Sequence, residues 1–284
     1  MFMHKDVFSI VVTFNSDFQR LSASLEILAK QCSVVVVDNS TIHSSREKIA
    51  FFCDSLRLMY IPLFDNCGVA MAQNIGVDAA RKKGGVDILL MDDDSLPNAT
   101  LVADLLDARR SSKADLVVVS ARTVSECGED LSNSRSNGSN GLTPCGDLTS
   151  SGSLISLAVF DLVGSFDEKL FIDCVDFEWG WRAKAKGVVL YLCDQVAIRH
   201  RLGVGSRFGF RIPGPIRHYY QYRNILKMIF KSKATLRWRF GQLIKLPVKI
   251  ILIILLADSR SARLKYVYWG VFDYLTNRFG KFSH

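Results

Sequence analysis

A mostly parallel β-sheet with helices on both faces, an α/β fold followed by a basic helical region, is what this sequence predicts. Three observations carry the prediction. Strand-like and helix-like segments alternate strictly over residues 7–94, the strand-like runs end in acids or turn residues, and the charge changes sign after residue 198. In sheets of this kind ligands bind at the carboxyl ends of the strands, so the residues closing each run are the first to weigh.

Taken in order, Val7 to Thr13 is a β-branched apolar run closed by Phe14-Asn15-Ser16-Asp17, a strand followed by a turn and a helix N-cap. Leu21, Leu25 and Leu28 then recur at helical spacing across 18–31. Val34 to Val37 forms a second core strand ending in Asp38-Asn39-Ser40, 43–53 reads as helix, and 56–61 as a third strand. Asn66 to Gly76 opens a helix that continues to about Lys83. The fourth run, Val86 to Met91, delivers Asp92-Asp93-Asp94 to its own end before Pro97 stops the strand. A helix over 98–110 and a strand over 115–120 follow. The Ser-, Asn- and Gly-rich stretch from Ser125 to Gly152 buries little apolar area, so it reads as a mobile lid near the site or as an inert surface loop. Order returns over 153–163, in a helix entered through 171–182 and ended by Gly187, and in a strand over 188–193 that trails through Val196 to His200.

The 284 residues suffice for one large domain with an appendage or for two smaller ones. The seven cysteines are scattered, odd in number and without a C-x-x-C pair, which predicts reduced thiols in a cytoplasm rather than a disulfide frame or a zinc site. The N-terminus lacks a signal peptide's apolar core. From Arg199 onward 18 Lys and Arg face only Asp258 and Asp273, so this tail carries +16 and the residues before it −8. Helices dense in aromatic and basic residues are expected over 216–230 and 236–246. The apolar run 250–257 is far shorter than the roughly 20 residues of a membrane span, and suits a buried helix or one lying in a bilayer interface.

Three adjacent carboxylates repel one another and resist burial, so such a cluster persists where a divalent cation or solvent offsets it. An acidic turn after a strand would show the same residues.

Several separated motifs agree in order with one known family. They are Val11-Val12-Thr13-Phe14-Asn15, Val36 to Ser40, Asn66-x-Gly68-x-Ala70-x-Ala72-x-Asn74-x-Gly76, Asp92-Asp93-Asp94-Ser95, Ser151-Gly152-Ser153, Gly164-x-Phe166-Asp167-Glu168, Phe171 to Trp179, and Tyr219-Tyr220-x-x-Arg223-Asn224. Over residues 7–224 the chain resembles the inverting nucleotide-sugar glycosyltransferases of family 2, which have the GT-A fold. Within that family it is most similar to bacterial rhamnosyltransferases of surface polysaccharide synthesis, which often show Asp-Gln-Asp-Ser at the acidic motif.

The resemblance implies a GT-A catalytic domain over 1–200, with a nucleotide-binding half (1–97) and an acceptor half (98–200), while the basic and aromatic residues of 201–284 point to a membrane-associated C-terminal region. It implies Mg2+ or Mn2+ held by Asp94, by Asp92 and by His200. The competing role for Asp92 is a sugar or ribose contact, and for His200 a surface position or a phosphate contact. Asp93 is expected at the nucleotide, in support of Asp92 and Asp94. Thr13, Asn15, Asp38, Asn66, Gly68 and Asn74 are expected at the nucleotide, with helix capping as the competing explanation for Thr13, Asn15 and Asp38. Asp176 stands in register with the family's catalytic base, and Asp173 and Glu178 are its rivals. Trp179 and Trp181 would stack on an acceptor sugar or pack in the core.

The implied reaction moves L-rhamnose from dTDP-β-L-rhamnose to a lipid-linked oligosaccharide at the cytoplasmic face of the inner membrane, the basic tail meeting lipid phosphates. Galactofuranose from its UDP donor is the nearest enzymatic rival. A nucleic-acid-binding protein acting through the tail, a silent nucleotide-sugar-binding scaffold, and a tail that serves as a solvated or oligomer surface are the readings outside this chemistry.

Overall fold

The computed structural model describes residues 3–132, 141–200 and 213–284, with the backbone of 206–207 and 210–211. Residues 133–140, the centre of the expected lid, lie outside the described residues.

The alternation read from the sequence is present. β1 (His4–Thr13), α1 (Phe18–Ala29), β2 (Cys32–Asp38), α2 (His43–Ser55), β3 (Met59–Pro62), α3 (Val69–Lys82) and β4 (Asp87–Asp92) follow one another, and β1 to β4 pair in parallel. Then come β5 (Ser95–Leu96), α4 (Leu101–Ser111), β6 (Val117–Val124), β7 (Leu142–Pro144), β8 (Ser153–Ser156), α5 (Leu157–Val163), a 3-10 turn (Glu168–Leu170), α6 (Val175–Ala185) and β9 (Val189–His200). The sheet runs β3-β2-β1-β4-β8-β6-β9-β5, with β7 also on β9. β8 is antiparallel to both β4 and β6, so the sheet is mixed.

Side-chain alternation sorts the core into two layers. Ile10, Val35, Val37, Ile88 and Leu90 face α3, α5 and α6, while Val7, Val11, Val34, Val36, Leu89 and Met91 face α1, α2 and α4. Gly76 lets α3 lie directly on β1, since a Cβ there would come within 2.3 Å of Ile10 Cγ2. The parity has a functional consequence. Asp92 continues the Ile88–Leu90 row toward α3 and α6, whereas Asp38 continues the Val34–Val36 row toward α1 and α2.

β9 is longer than the expected strand. Its register against β6 shifts between Ala121 and Arg122, absorbing Asp194 to Val196, and it then runs on until His200 pairs with Ser95. That continuation brings His200 beside the acidic triplet.

A small hairpin, β10 (Ser206–Arg207) and β11 (Phe210–Arg211), leads to α7 (Pro215–Lys231), α8 (Leu236–Leu256) and α9 (Arg260–Leu275). The expected helix 236–246 and apolar run 250–257 prove to be one helix of 21 residues with Pro247 inside it. Among the described residues no helix is long and apolar enough to cross a membrane. The region packs back on the α/β body. Met228 and Ala234 join the core layer that contains α6, and Trp238 meets the Trp181 ring edge-on at 4.8 Å.

Candidate active site

The carboxyl ends of β1 and β4, the start of α3 and the start of α6 enclose a cleft of about 480 Å³. Thr13, Asn66, Gly68, Asp92, Asp93, Asp94, Asp176 and His200, all singled out in the sequence, line it.

Asp92, Asp94 and His200 each offer a ligand atom within 4.8 Å of the other two. His200 Nδ1 stands 3.1 Å from Asp94 Oδ1 and 3.2 Å from Ser95 Oγ. Asp94 Oδ1 is enclosed and receives no well-aligned hydrogen bond from the described residues. The polar contact of the Asp94 carboxylate with the His200 ring, and its negative charge, hold that imidazole above its ordinary pKa. Burial, reinforced by the carboxylates of Asp94 and Asp93, pushes Asp92 up to about 7. Two oxygen donors and one imidazole nitrogen, strained by their own charge and including an unsatisfied carboxylate oxygen, fit a divalent cation such as Mn2+ or Mg2+.

These ligands are held from outside the motif. Arg20, on α1, donates from Nε to the Asp94 carbonyl and from Nη2 to the Arg199 carbonyl, gripping the backbone at Asp94 and immediately before His200. Ser151 Oγ accepts from Asp92 N at 3.1 Å and bonds Ser95 Oγ at 2.8 Å. Asp93 turns toward the β1–α1 loop, where it accepts from Phe14 N at 3.2 Å and from the Ser16 hydroxyl. Its pKa is raised by burial.

Across the cleft, Asp176 sits in the first turn of α6, its Oδ1 accepting from Phe177 N at 2.9 Å. Burial pushes its carboxyl up to about 6, against the lowering effect of backbone N–H groups. The two rival acids are ion-paired, Glu178 outside the cleft's lining and Asp173 within it. Glu178 binds Arg182 Nε at 2.7 and 2.9 Å, and Asp173 binds Arg217, with Nη2 to Oδ1 at 3.0 Å.

Asp176 follows an unusual stretch of backbone: Phe171, Asp173 and Cys174 all have φ near +65°. Left-handed conformations at non-glycine residues cost about 1–3 kcal/mol each and persist only where their surroundings impose them. The Arg223-Asn224 pair of α7 imposes this one. Asn224 Nδ2 donates to the carbonyls of Leu170 (2.9 Å), Ile172 (2.7 Å) and Asp173 (3.0 Å), and Arg223 Nη2 donates to those of Lys169 (3.2 Å) and Leu170 (3.0 Å). Tyr220 stacks on Phe171 with 5.0 Å between centroids. The carbonyl of Phe171 in turn receives Val69 N at 2.8 Å, next to Gly68, whose own φ is +86° and where a Cβ would lie 2.6 Å from that same oxygen. Replacing Asn224 with Ala leaves buried carbonyls without donors, so it is expected to cost about 1–3 kcal/mol of stability. It should also lower kcat at least about tenfold through misplacement of Asp176. Thermal unfolding and donor turnover check this together, and unchanged turnover would show that the pair does not position Asp176.

Three residues expected at the nucleotide lie outside the cleft's lining and are engaged by their surroundings. Asp38 is fully buried on the α2 side and accepts from Thr13 Oγ1 (2.8 Å), Ser40 N (2.9 Å) and Tyr60 Oη (2.7 Å). Its neighbour Asn39 lines the cleft instead. Asn15 Oδ1 accepts from Thr41 N and Ile42 N, both at 3.1 Å, and so ties the β1–α1 loop to the turn that precedes α2. Asn74 bonds both N and O of Phe166, and also Glu168, tying α3 to the 164–168 loop. Trp179 and Trp181 are buried, donating to Gly164 O and Asp147 Oδ1, which leaves neither face open to an acceptor.

Gln73, Ser150 and Arg217 also line the cleft without having been anticipated. Ser150, which accepts from Gln73 Nε2 at 2.6 Å, belongs to the described flank of the expected lid.

Comparison with known proteins agrees with this geometry. Residues 9–150 match the model of glycosyl transferase family 2. The chain is 30% identical over 280 residues to the dTDP-rhamnosyl transferase RfbF of Shigella flexneri, covering 93% of each. Among solved structures it superposes on S. aureus TarS 1–349 in complex with UDP-GlcNAc with a TM-score of 0.55 at 16% identity, covering 98% of this chain and 93% of that one. It spans 41% of a longer TarS chain. GalNAc-T7 with UDP, GalNAc and Mn2+ gives a TM-score of 0.61 at 13% identity, covering 96% of this chain and 57% of that one. The mixed sheet, the cleft at its carboxyl edge and these likenesses agree: the chain has the GT-A fold and belongs to glycosyl transferase family 2.

Proposed function

We propose that this glycosyltransferase moves L-rhamnose from dTDP-β-L-rhamnose, with inversion, to a hydroxyl of a lipid-linked oligosaccharide. The setting is O-antigen or other surface polysaccharide synthesis at the cytoplasmic face of the inner membrane. The observation that carries the reaction type is that one cleft holds both Asp92, Asp94 and His200 and, across from them, Asp176. The donor choice is supported by the similarity to a dTDP-rhamnosyl transferase along nearly the whole chain.

Asp176 accepts the acceptor hydroxyl's proton as that oxygen bonds to the anomeric carbon. The bond from that carbon to the diphosphate oxygen breaks, its electron pair leaving with dTDP. A carboxyl raised to about 6 remains an anion at neutral pH yet is a better proton acceptor than an ordinary aspartate. Asp92, Asp94 and His200 would hold Mn2+ or Mg2+, which as a Lewis acid stabilises charge developing on the departing diphosphate. Thr13, Asn66, Gly68 and Arg217 line the cleft, where the first three would meet the nucleotide and Arg217 would add a cation near the phosphates.

Radiolabelled donors offered with a membrane extract as acceptor source test the choice of sugar. Transfer from dTDP-rhamnose with inversion is expected. Transfer from UDP-galactofuranose with none from dTDP-rhamnose would replace the donor, and transfer from no donor would favour a silent binding protein.

A further inference from the structure

α8 touches the rest of the protein along one narrow edge. Leu246 and Ile253 are buried there, with Ile250 and Trp238 beside them, against Tyr222, Ile225 and Ile229 of α7 and Val267 of α9. Away from that edge one face of the helix is apolar and exposed. Leu236, Phe240, Leu243, Ile244, Val248, Ile251, Ile254 and Leu255 are between 42% and 70% exposed. At 3.6 residues per turn these positions fall on one face, which Pro247 extends. A continuous apolar stripe of this kind on a protein surface marks an interaction site.

The charges around the stripe identify its partner. Between Asp194 and Asp258 the chain contains no acidic residue. Arg237 and Lys245 are exposed on α8 itself. Two copies meeting through this stripe would bring like charges together with no carboxylate on the helix to offset them. An anionic bilayer supplies both an apolar layer and counter-charge. We infer that α8 lies in the headgroup region of an anionic membrane, its Leu236-to-Leu255 stripe inserted and Arg237 and Lys245 against lipid phosphates. This deepens the lipid-linked acceptor reading by assigning the surface that meets the lipid.

Co-sedimentation of the full chain with vesicles tests it without any sugar donor. Binding to vesicles of equimolar phosphatidylglycerol and phosphatidylcholine should exceed binding to phosphatidylcholine alone by at least about tenfold, and should weaken as salt rises. The Ile244→Glu/Ile251→Glu variant, altered only at exposed positions, should lose at least about tenfold in binding to the mixed vesicles. Arg237→Glu/Lys245→Glu should remove the preference for phosphatidylglycerol. The inference is overturned if the parent shows no such preference or if the Ile244→Glu/Ile251→Glu variant binds like the parent. It is equally overturned if the parent is a dimer in solution that this variant dissociates, since a second copy would then cover the stripe. Vesicle binding as described, together with failure to use dTDP-rhamnose, would leave this surface standing and remove the donor assignment instead.

Discussion

Replacing Asp176 with Asn is expected to slow sugar transfer by about 10²- to 10⁴-fold while leaving donor affinity close to that of the parent. The amide keeps the size of the side chain and can still accept from Phe177 N, but it cannot take up the acceptor's proton. The pH dependence follows from the same residue. Its carboxyl, raised to about 6 by burial, must be ionised to act, so kcat/KM of the parent should fall as pH drops through about 6. With Mn2+ saturating, so that Asp92 stays ionised, the residual rate of Asp176→Asn should lose that acidic limb. Stability should move the other way. The folded state holds the Asp176 proton more tightly than the unfolded chain, with a pKa of about 6 against 3.8, so ionising this group above that range costs stability. The variant should therefore melt no lower than the parent at pH 7. A variant retaining parental turnover would remove Asp176 from the chemistry, and one that merely unfolds would assign it a structural part.

The second large effect is expected at Asp94. Its enclosed Oδ1 lies 3.1 Å from the His200 ring and receives no well-aligned hydrogen bond from the described residues. Asp94→Ala is expected to lower transfer by at least about 10²-fold, as is an excess of EDTA, because several kcal/mol of charge stabilisation on the departing diphosphate would be lost. Added Mn2+ should restore the chelated parent and not the variant. Arg20→Ala supplies a graded counterpart. It leaves every ligand in place but frees the backbone at Asp94 and Arg199, so the Mn2+ concentration for half-maximal activity should rise about 10- to 100-fold. Full turnover of Asp94→Ala, or an unchanged Mn2+ requirement in Arg20→Ala, would break the corresponding link.

The strands that carry the acids were legible because buried parallel strands leave a strong apolar signature, and strands ending in Asp38 and Asp92 pointed to the correct edge of the sheet. What separates these two acids was legible as well, though only through parity. The apolar rows on either side of the sheet send Asp92 into the cleft and Asp38 away from it, leaving Asn39 at the surface of the cleft. A strand-end acid therefore has to be read together with the row it belongs to. His200 could be placed only by likeness to a family. Its meeting with Asp94 depends on β9 continuing past a register shift that no local pattern announces. Arg20 and Arg217 act through long side chains reaching elements distant in sequence, and nothing in their own neighbourhoods marks them. The region of α8 reads in the sequence as a helix over 236–246 and a separate apolar run over 250–257, with Pro247 between them. The proline's missing N–H and the exposed face around it are tolerated within a single helix, and only the packing of Leu246 and Ile253 on one edge shows that the segments are continuous.

Calorimetric titration of the parent with dTDP, in Mn2+ and again in EDTA, is the most direct test of whether the cluster at the end of β4 serves the nucleotide through a cation. Binding at least about tenfold tighter in Mn2+ is expected, with the difference abolished in Asp94→Ala. Equal affinity in EDTA and in Mn2+, or an Asp94→Ala variant that keeps the full Mn2+ effect, would contradict the assignment of Asp92, Asp94 and His200.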